Sequence, residues 1–335
     1  MPHPETWLRP TLAGLYCEPG DFHIDPVAPV GRAVITHGHA DHARPGHAHV
    51  LATAETLAIM RLRYGAAAGG AQQAAAYGER IVTGDVALAL APAGHVLGSA
   101  QLVIEHDGAR VVISGDYKRR RDPTCAPFEP RACDVFVTEA TFGLPVFRHP
   151  PDSHEIEKLL HSVRLYPDRC HLVGVYALGK CQRVIALLRA AGWERPVYLH
   201  GALFGLTELY RRFGIELGPL LPATDAARDD LKGEIVLAPP AALADRWTRR
   251  LPEPVAALAS GWMRVKQRAK ARGVELPLVI SDHADWDELI RTLDEVGAGE
   301  IWVTHGREEA LVHYAATRGR KARALALTGF AEEEE

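Results

Sequence analysis

Cysteine is scarce in this 335-residue chain, and the five present (Cys17, Cys125, Cys133, Cys170 and Cys181) are odd in number and form no Cys-x-x-Cys pair. They read as reduced thiols in a reducing compartment, which excludes a disulfide scaffold and a thiolate zinc cluster. Long apolar runs are missing as well. None approaches bilayer-spanning length, and Met1 to Gly14 carries polar residues and prolines where a secretory leader needs an apolar core. A cytoplasmic protein without a membrane partner is the expectation. Strong charge of one sign is also lacking: the formal net charge is −4, and the last four residues, Glu332 to Glu335, are all acidic, so the body is near neutral. Bulk charge therefore does not point to nucleic acid; only local clusters of cations could. No internal repeat is found.

What the chain has is a globular composition, 47% hydrophobic and 24% charged, over a length that suits one large or two ordinary domains. Its most distinctive stretch is Thr36 to His42, which reads T-H-G-H-A-D-H directly after the apolar run Ala33-Val34-Ile35. A single His-x-His is common in solvated loops. The set His37, His39, Asp41 and His42 within six residues is much rarer by chance. A short strand feeding a glycine-containing turn leaves His37 and His39 near a strand end, with Asp41 and His42 entering the next element. Successive side chains diverge, so four such ligands can serve two adjacent ions. Imidazoles and carboxylates without a thiolate suit zinc and, less tightly, manganese or iron.

Further strands bring further polar residues. Gly14 to Pro26 reads as a hairpin turning at Pro19-Gly20, with Asp25 ending its second strand. Ala54 to Tyr64 is a helix, and Gly65 to Gln73, rich in alanine and glycine, reads as a loop. Arg80 to Pro92 alternates as one strand and leads to His95, set between Gly94 and Gly98. Alone, such a histidine is most often an ordinary turn residue. Arg110 to Ile113 is a strand ending at Asp116, and Asp134 to Thr138 one ending at Glu139. Leu278 to Ile280 leads to Asp282, His283 and Asp285, and Ile301 to Val303 leads to His305. An aspartate after a strand and a glycine is often only a cap. Several strands delivering polar residues at one end is nonetheless the layout of an active site at a sheet edge.

On these residues the chain resembles the metallo-β-lactamase superfamily. T-H-G-H-A-D-H matches its signature, G-H-x-x-G-S-A-Q from Gly94 to Gln101 its third metal motif, and Asp116 its bridging carboxylate. T-E-A-T-F-G from Thr138 to Gly143, S-D-H-A-D-W from Ser281 to Trp286 and T-H-G from Thr304 to Gly306 resemble motifs A, B and C of the β-CASP branch, the subgroup acting on nucleic acids. The resemblance covers nearly the whole chain. It implies an α/β fold: a four-layer αββα metallo-β-lactamase sandwich with metals at one sheet edge and an inserted smaller α/β β-CASP domain. The expected bounds are 1–148 and 274–330 for the sandwich, 149–273 for the insert and 331–335 for an acidic tail. The resemblance further implies two divalent ions, Zn2+ or Mn2+. His37, His39, His95 and Asp116 would hold one, and Asp41, His42, Asp116 and His305 the other. Asp25 would hold the metal loop by hydrogen bonds; turn formation or capping is its other reading.

Within the expected insert, Ser153 to Leu165 is a helix capped by Ser153, with Glu155 to Glu157 in its first turn. His171 to Tyr176, Pro196 to His200 and Glu234 to Ala238 are strands. The segment from Ala177 to Arg183 lies at a strand-to-helix turn, where Gly179, Lys180, Gln182 and Arg183 suit a phosphate. A plain turn with a solvated lysine is equally open. A P-loop is excluded, because the upstream glycine and the Ser/Thr after the lysine are missing. Arg264, Lys266 and Arg268 lie with Lys270 and Arg272 on an expected helix that has Trp262 at its start. The run Lys118-Arg119-Arg120-Arg121 follows Asp116. Both clusters read either as solvated faces or as a surface for a phosphodiester backbone.

The chemistry implied by the resemblance is phosphodiester hydrolysis. Two divalent ions bring four formal positive charges, two aspartates cancel two and a hydroxide one more, leaving a net positive site suited to an anionic substrate. Such a pair generates hydroxide near neutral pH and clamps the phosphate. His283 would protonate the leaving oxygen, with Glu139 raising its pKa and orienting it. The short insert and the compact S-G-W-M and S-D-H-A-D-W stretches look most like bacterial DNA-ligase-associated exonucleases. A single-strand 5′ exonuclease acting on DNA ends in DNA repair is therefore expected, in functional association with a DNA ligase and helicase. His305 at motif C favours the alternative, an RNA-processing nuclease. A small-molecule metallo-hydrolase would need neither the insert nor the basic clusters. A nucleic-acid-binding protein without turnover is disfavoured by the complete ligand set.

Overall fold

The computed structural model describes residues 3–325 and Leu327; the expected acidic tail, 331–335, lies outside them. The chain is α/β with mixed sheets and divides into two units. Of the described residues, one comprises those up to Arg148 and those from His283 to Leu325 with Leu327, and the other is His149–Asp282.

The first unit contains two sheets. One runs Leu8–Thr11, Gly14–Cys17, Phe22–Ile24, Arg32–Val34, His49–Ala52, Ala71–Ala74 in spatial order. The other runs Lys321–Ala324, Glu300–Gly306, Val135–Ala140, Ala109–Ile113, Ala100–His106, Val86–Pro92, Ile81–Thr83. Strand alternation decides where each side chain goes. Val111, Ile113, Val135 and Val137 pack with Leu15, Ile24 and Val34 of the first sheet in one core. Their neighbours Val112 and Phe136 face the other way, against Leu289, Leu293 and Leu311 of the helices Trp286–Val296 and Glu308–Thr317. On the far face of the first sheet, Ala33, Ile35, Val50 and Ala52 meet Leu57 and Met60 of the helix Ala54–Tyr64. The unit is thus layered helix, sheet, sheet, helices.

Strand direction explains why the polar residues converge. Ala109–Ile113, Val135–Ala140 and Glu300–Gly306 are parallel. Val86–Pro92 points the same way, because Ala100–His106 is antiparallel to both it and Ala109–Ile113. His95, Asp116, Glu139 and His305 therefore all leave the second sheet at the same end.

The helix Trp286–Val296 is written plainly in the sequence. Trp286, Leu289, Leu293 and Val296 are buried at helical spacing, Asp285 and Glu288 form a capping box, and Gly297 in the left-handed region ends it. Burial of each aliphatic contributes roughly 1.5–3 kcal/mol. This helix fixes where His283, three residues ahead of it, enters the unit.

The second unit carries one all-parallel sheet in the order Leu220–Pro222, Val197–Leu199, Ile235–Ala238, His171–Gly174, Val255–Ala259, Leu276–Leu278. Its central strand begins at His171, fully buried, with Nε2 2.9 Å from Ser162 Oγ. Burial, then Arg169, lowers the His171 pKa to about 4. The unfolded chain takes up this proton near pH 6.5 and the fold only near pH 4. His171 therefore adds stability above pH 6.5 that is lost as the pH falls toward 4, on the order of 3 kcal/mol. The stability difference between wild type and His171→Gln, measured by urea unfolding, should change by that amount between pH 7 and pH 4. A pH-independent difference would contradict it.

Several local expectations are corrected. Gly65 to Gln73 is not a plain loop: Gly65–Ala68 forms a 3-10 turn, and Ala71–Ala74 adds an edge strand beside His49–Ala52. Arg80 to Pro92 is a hairpin of two strands, Ile81–Thr83 and Val86–Pro92, turning at Gly84, whose positive φ of 55° the alternation pattern does not report. The helix expected from Ser153 begins at Asp152, with Pro151 at the cap position. The basic stretch forms two short pieces, Gly261–Arg264 and Lys266–Ala271, not one helix. The strand before motif B is Leu276–Leu278, in the second unit's sheet.

Candidate metal centre

Three loops bring the ligands together, each pinned by its own short-range chemistry. The first follows Arg32–Val34. Asp25, in the left-handed region, has a buried carboxylate that accepts from Thr36 N (2.7 Å) and Thr36 Oγ1 (2.6 Å) and lies 2.8 Å from His42 Nδ1. Both ends of the T-H-G-H-A-D-H stretch thus hang on one side chain, and the loop-holding reading of Asp25 has its geometry. Asp25→Ala should weaken metal binding by about 10–100-fold, read by chelator competition; unchanged affinity would remove Asp25 from this role.

The second loop carries His95. Ser99 Oγ accepts from His95 N and Val96 N (3.1 and 3.2 Å), and the hydroxyls of Thr53 and Thr56 both donate to Gly98 O. The third carries Asp116. Gly115 before it has φ 54°, and a Cβ there would come within 2.8 Å of the Thr36 side chain, so this close approach requires glycine. His305 enters from a bulge: Glu139 pairs with Thr304 and Ala140 with Gly306, leaving His305 extra, at φ 58°. A left-handed non-glycine residue costs about 1–3 kcal/mol, and the bulge turns its ring toward His42.

The donor atoms then cluster. His37, His39, His95 and Asp116 each offer an atom such that all four lie within 4.8 Å of one another. Asp116 Oδ2 is 3.3 Å from His37 Nε2, 3.4 Å from His42 Nε2 and 3.9 Å from His95 Nε2. His42 Nε2 is also 3.5 Å from Asp41 Oδ2, and the His42 and His305 rings stack with centroids 5.2 Å apart. His37, His42, His95 and Asp116 are all buried.

Electrostatics sorts these groups. Burial, with His42 next, holds the His37 pKa well below the usual imidazole range, and burial then His42 lowers His305 to about 4. Both rings are neutral and offer lone pairs. For His42, burial opposes protonation, but Asp116, Asp41 and Asp25 outweigh it and raise its pKa well above normal. Asp116 is held well below the carboxylate range, against burial, by His42 and His37. The pocket thus stabilises positive charge beside Asp116. His37 Nε2 and Asp41 Oδ1 are buried there without a hydrogen bond. Lone pairs facing a carboxylate that favours a cation are a donor set that fits a divalent metal.

Beside this cluster, His283 Nδ1 lies 2.9 Å from Glu139 Oε2, and its ring centroid is 4.6 Å from that of His95. Glu139 is held in turn: Tyr117 N donates to Oε1 (2.7 Å) and Thr141 Oγ1 to Oε2 (2.6 Å). The carboxylate thereby orients the imidazole through Nδ1. The residues not found from sequence are Thr36, Thr141 and Tyr117. They act through a backbone N–H or a turn hydroxyl, which no sequence pattern separates from ordinary loop residues.

The expected substrate-binding residues divide. Lys118 is buried and donates to His283 O (3.4 Å). Arg119 bonds Thr292 Oγ1 (3.0 Å) and Glu295 (2.6 Å), and its guanidinium lies over Phe128. Arg120, next in the run, pairs with Asp285 at 3.0 Å and Glu288 at 3.3 Å. Lys118 and Arg120 therefore fasten the start of the helix Trp286–Val296, and Arg119 its last turns. Lys180 is fully buried and ion-paired with Asp282, and buried Arg183 is paired with Asp152. Gln182 closes the turn, accepting from Gly179 N (2.9 Å) and donating to Ala177 O (3.0 Å). This corrects the outward-facing phosphate turn: its cations point into the second unit, where carboxylates neutralise them. Arg264 and Lys266 are exposed, and Arg268 lies 4.0 Å over the Trp262 ring.

Comparison with known proteins gives the following. The chain is 29% identical over 317 residues to a probable DNA ligase of Opitutus terrae, covering 93% of this chain and 30% of that protein. It is 38% identical over 101 residues to Endoribonuclease YSH1 of Kluyveromyces lactis, covering 29% of this chain and 13% of that one. It is 26% identical over 168 residues to an RNase J-like protein of Methanocaldococcus jannaschii, covering 48% and 40%. The chain thus spans less than a third of the first two proteins. A solved structure of a protein of unknown function from Enterococcus faecalis V583 aligns with TM-score 0.61 at 14% identity, over 89% of this chain and 80% of that one, a likeness of fold. No family model matches. The homologues include β-CASP metallo-β-lactamase nucleases, consistent with the branch that motifs A, B and C resemble.

Proposed function

We propose that this chain, as a β-CASP metallo-β-lactamase protein, is a metal-dependent nuclease that hydrolyses phosphodiester bonds at DNA ends as a single-strand 5′ exonuclease. The observation that carries the reading is one cluster in the first unit: four histidines around buried Asp116, with the Glu139–His283 pair beside them. On this reading the first unit is the metallo-β-lactamase sandwich and the second the β-CASP insert.

His37, His39, His95 and Asp116 would hold one divalent ion, and Asp41, His42, Asp116 and His305 a second. The ions, when bound, activate water near neutral pH and neutralise charge on the phosphate. Asp25 and Thr36 keep His37 and His42 in place. Glu139 holds Nδ1 of His283, so that Nε2 can deliver a proton to the leaving oxygen. Exposed Arg264 and Lys266, with Arg268, supply cations for a nucleic-acid backbone.

DNA is favoured because the similarity covering most of this chain is to part of a protein named as a DNA ligase. That arrangement also motivates a functional association with a ligase. An RNA-processing role is the second reading, supported by His305 at motif C and by the ribonuclease relatives. Matched single-stranded DNA and RNA oligonucleotides, labelled at either end and given with zinc or manganese, separate the two. Mononucleotides released from the 5′ end of DNA alone would support the first reading. Cleavage of RNA with DNA untouched would replace it by the second.

A further inference from the structure

We infer that Lys180 is a positioning residue for His283, acting through its ion pair with Asp282. The inference rests on the reading of His283 as the group that protonates the leaving oxygen.

Lys180 opens the helix Lys180–Ala190 and has no exposed surface; Asp282 is 2% exposed. Taking an ammonium and a carboxylate out of water is costly, and it is sustained only where each holds the other in fixed geometry. The turn before the helix is built for this. Gly179 adopts φ 85°, Gln182 ties its side chain to Gly179 N and Ala177 O, and Thr207 Oγ1 accepts from Gln182 Nε2 at 2.9 Å. The lysine is thereby aimed inward at the residue that immediately precedes His283.

The following residues are held as firmly. Lys118 Nζ donates to His283 O, Ala284 N donates to Tyr117 O (2.6 Å), and Asp285 caps its helix while pairing with Arg120. Asp282 to Asp285 is thus fixed residue by residue, and Lys180 supplies the fastening at the first of them. A proton donor works only within hydrogen-bond reach of its target. A displacement of about 1 Å can cost up to about 10²-fold in rate.

The test compares two phosphodiesters on the metal-loaded full chain: single-stranded DNA, whose leaving alkoxide needs a proton, and the p-nitrophenyl ester of thymidine 5′-monophosphate, whose leaving group does not. The variant is Lys180→Met with Asp282→Asn, which removes both charges and orphans neither. Its kcat on DNA should fall by about tenfold to 10²-fold, with KM and metal content unchanged, while the nitrophenyl ester is cut at near the wild-type rate. Equal losses on both substrates, or no loss on DNA, would overturn the inference. His283→Ala, run alongside, keeps the two ideas apart. If it shows the leaving-group dependence and the double variant does not, only the role of Lys180 fails; if it shows none, the general-acid reading fails and the inference with it. Should the double variant lose its unfolding transition, Lys180→Arg, which keeps both charges and changes only the geometry of the pair, carries the same comparison.

Discussion

Asp116→Asn should lower phosphodiester cleavage by on the order of 10⁴-fold or more and strip the centre of metal, because water without a metal returns from a pKa near 7 toward 15.7. The variant keeps the shape of the side chain and removes its charge. That charge is what the surrounding groups are arranged about: three imidazole nitrogens lie within 3.9 Å of Oδ2, and the carboxylate is one reason the His42 pKa is raised against its burial. Neutral asparagine would leave a buried ring of histidines with no central carboxylate to offset a dication. The backbone there is set independently, by the contact of Gly115 with Thr36 and by the hydrogen bond from Lys118 N to Ala93 O. A cooperative unfolding transition should therefore survive in the metal-free protein. Metal analysis and oligonucleotide cleavage on the same preparation check both halves. Full metal content with activity within a few-fold of wild type would remove Asp116 from the centre.

His283→Ala should lower cleavage of DNA by about 10²–10⁴-fold with metal retained. The ring carries two opposed functions, Nδ1 against Glu139 and Nε2 toward the ligand cluster, and alanine removes both. One geometric fact makes the experiment decisive. Asp116, Glu139 and His283 also place one donor atom each within 4.8 Å of the others, so His283 could itself be a ligand. A lost ligand lowers metal content and slows every substrate alike. A lost proton donor leaves metal bound and slows only substrates with a poor leaving group. The nitrophenyl ester and DNA, compared in one variant, distinguish the two.

Much of the centre was legible because its residues sit in short contiguous motifs at strand ends. T-H-G-H-A-D-H needs only the strand before it to be recognised, and the helix after motif B announces itself through Asp285, Glu288, four apolar positions and Gly297. The cations were harder to place. Lys118, Arg119, Lys180 and Arg183 have the composition of a phosphate surface, yet each has a carboxylate or carbonyl partner, most of them far away in the sequence. A sequence shows the charge of a side chain and not the acid that meets it after folding. The hairpin at Gly84 and the bulge at His305 were hidden for a related reason: both depend on a single residue with positive φ, which apolar alternation does not encode.

The pairing of Val135–Ala140 with Glu300–Gly306 has a bearing on how the protein is made. The second unit is synthesised between these two strands. The entropy of spanning it is modest, since each doubling of a loop costs only about 0.6 kcal/mol. The delay is not. At roughly 5–20 residues per second, Val135–Ala140 waits on the order of 8–30 s for its neighbour. For most of that interval the growing chain carries His37, His39, Asp41, His42, His95 and Asp116, beside a parallel strand edge with nothing against it, but not His283, and His305 arrives only with Glu300–Gly306 itself. The residues clustered around Asp116 are therefore made before the Glu139–His283 pair can form. On the proposed reading, the proton donor and the last expected ligand thus join the cluster only after the whole second unit has been translated, so the site is completed by the chain's return to the first unit.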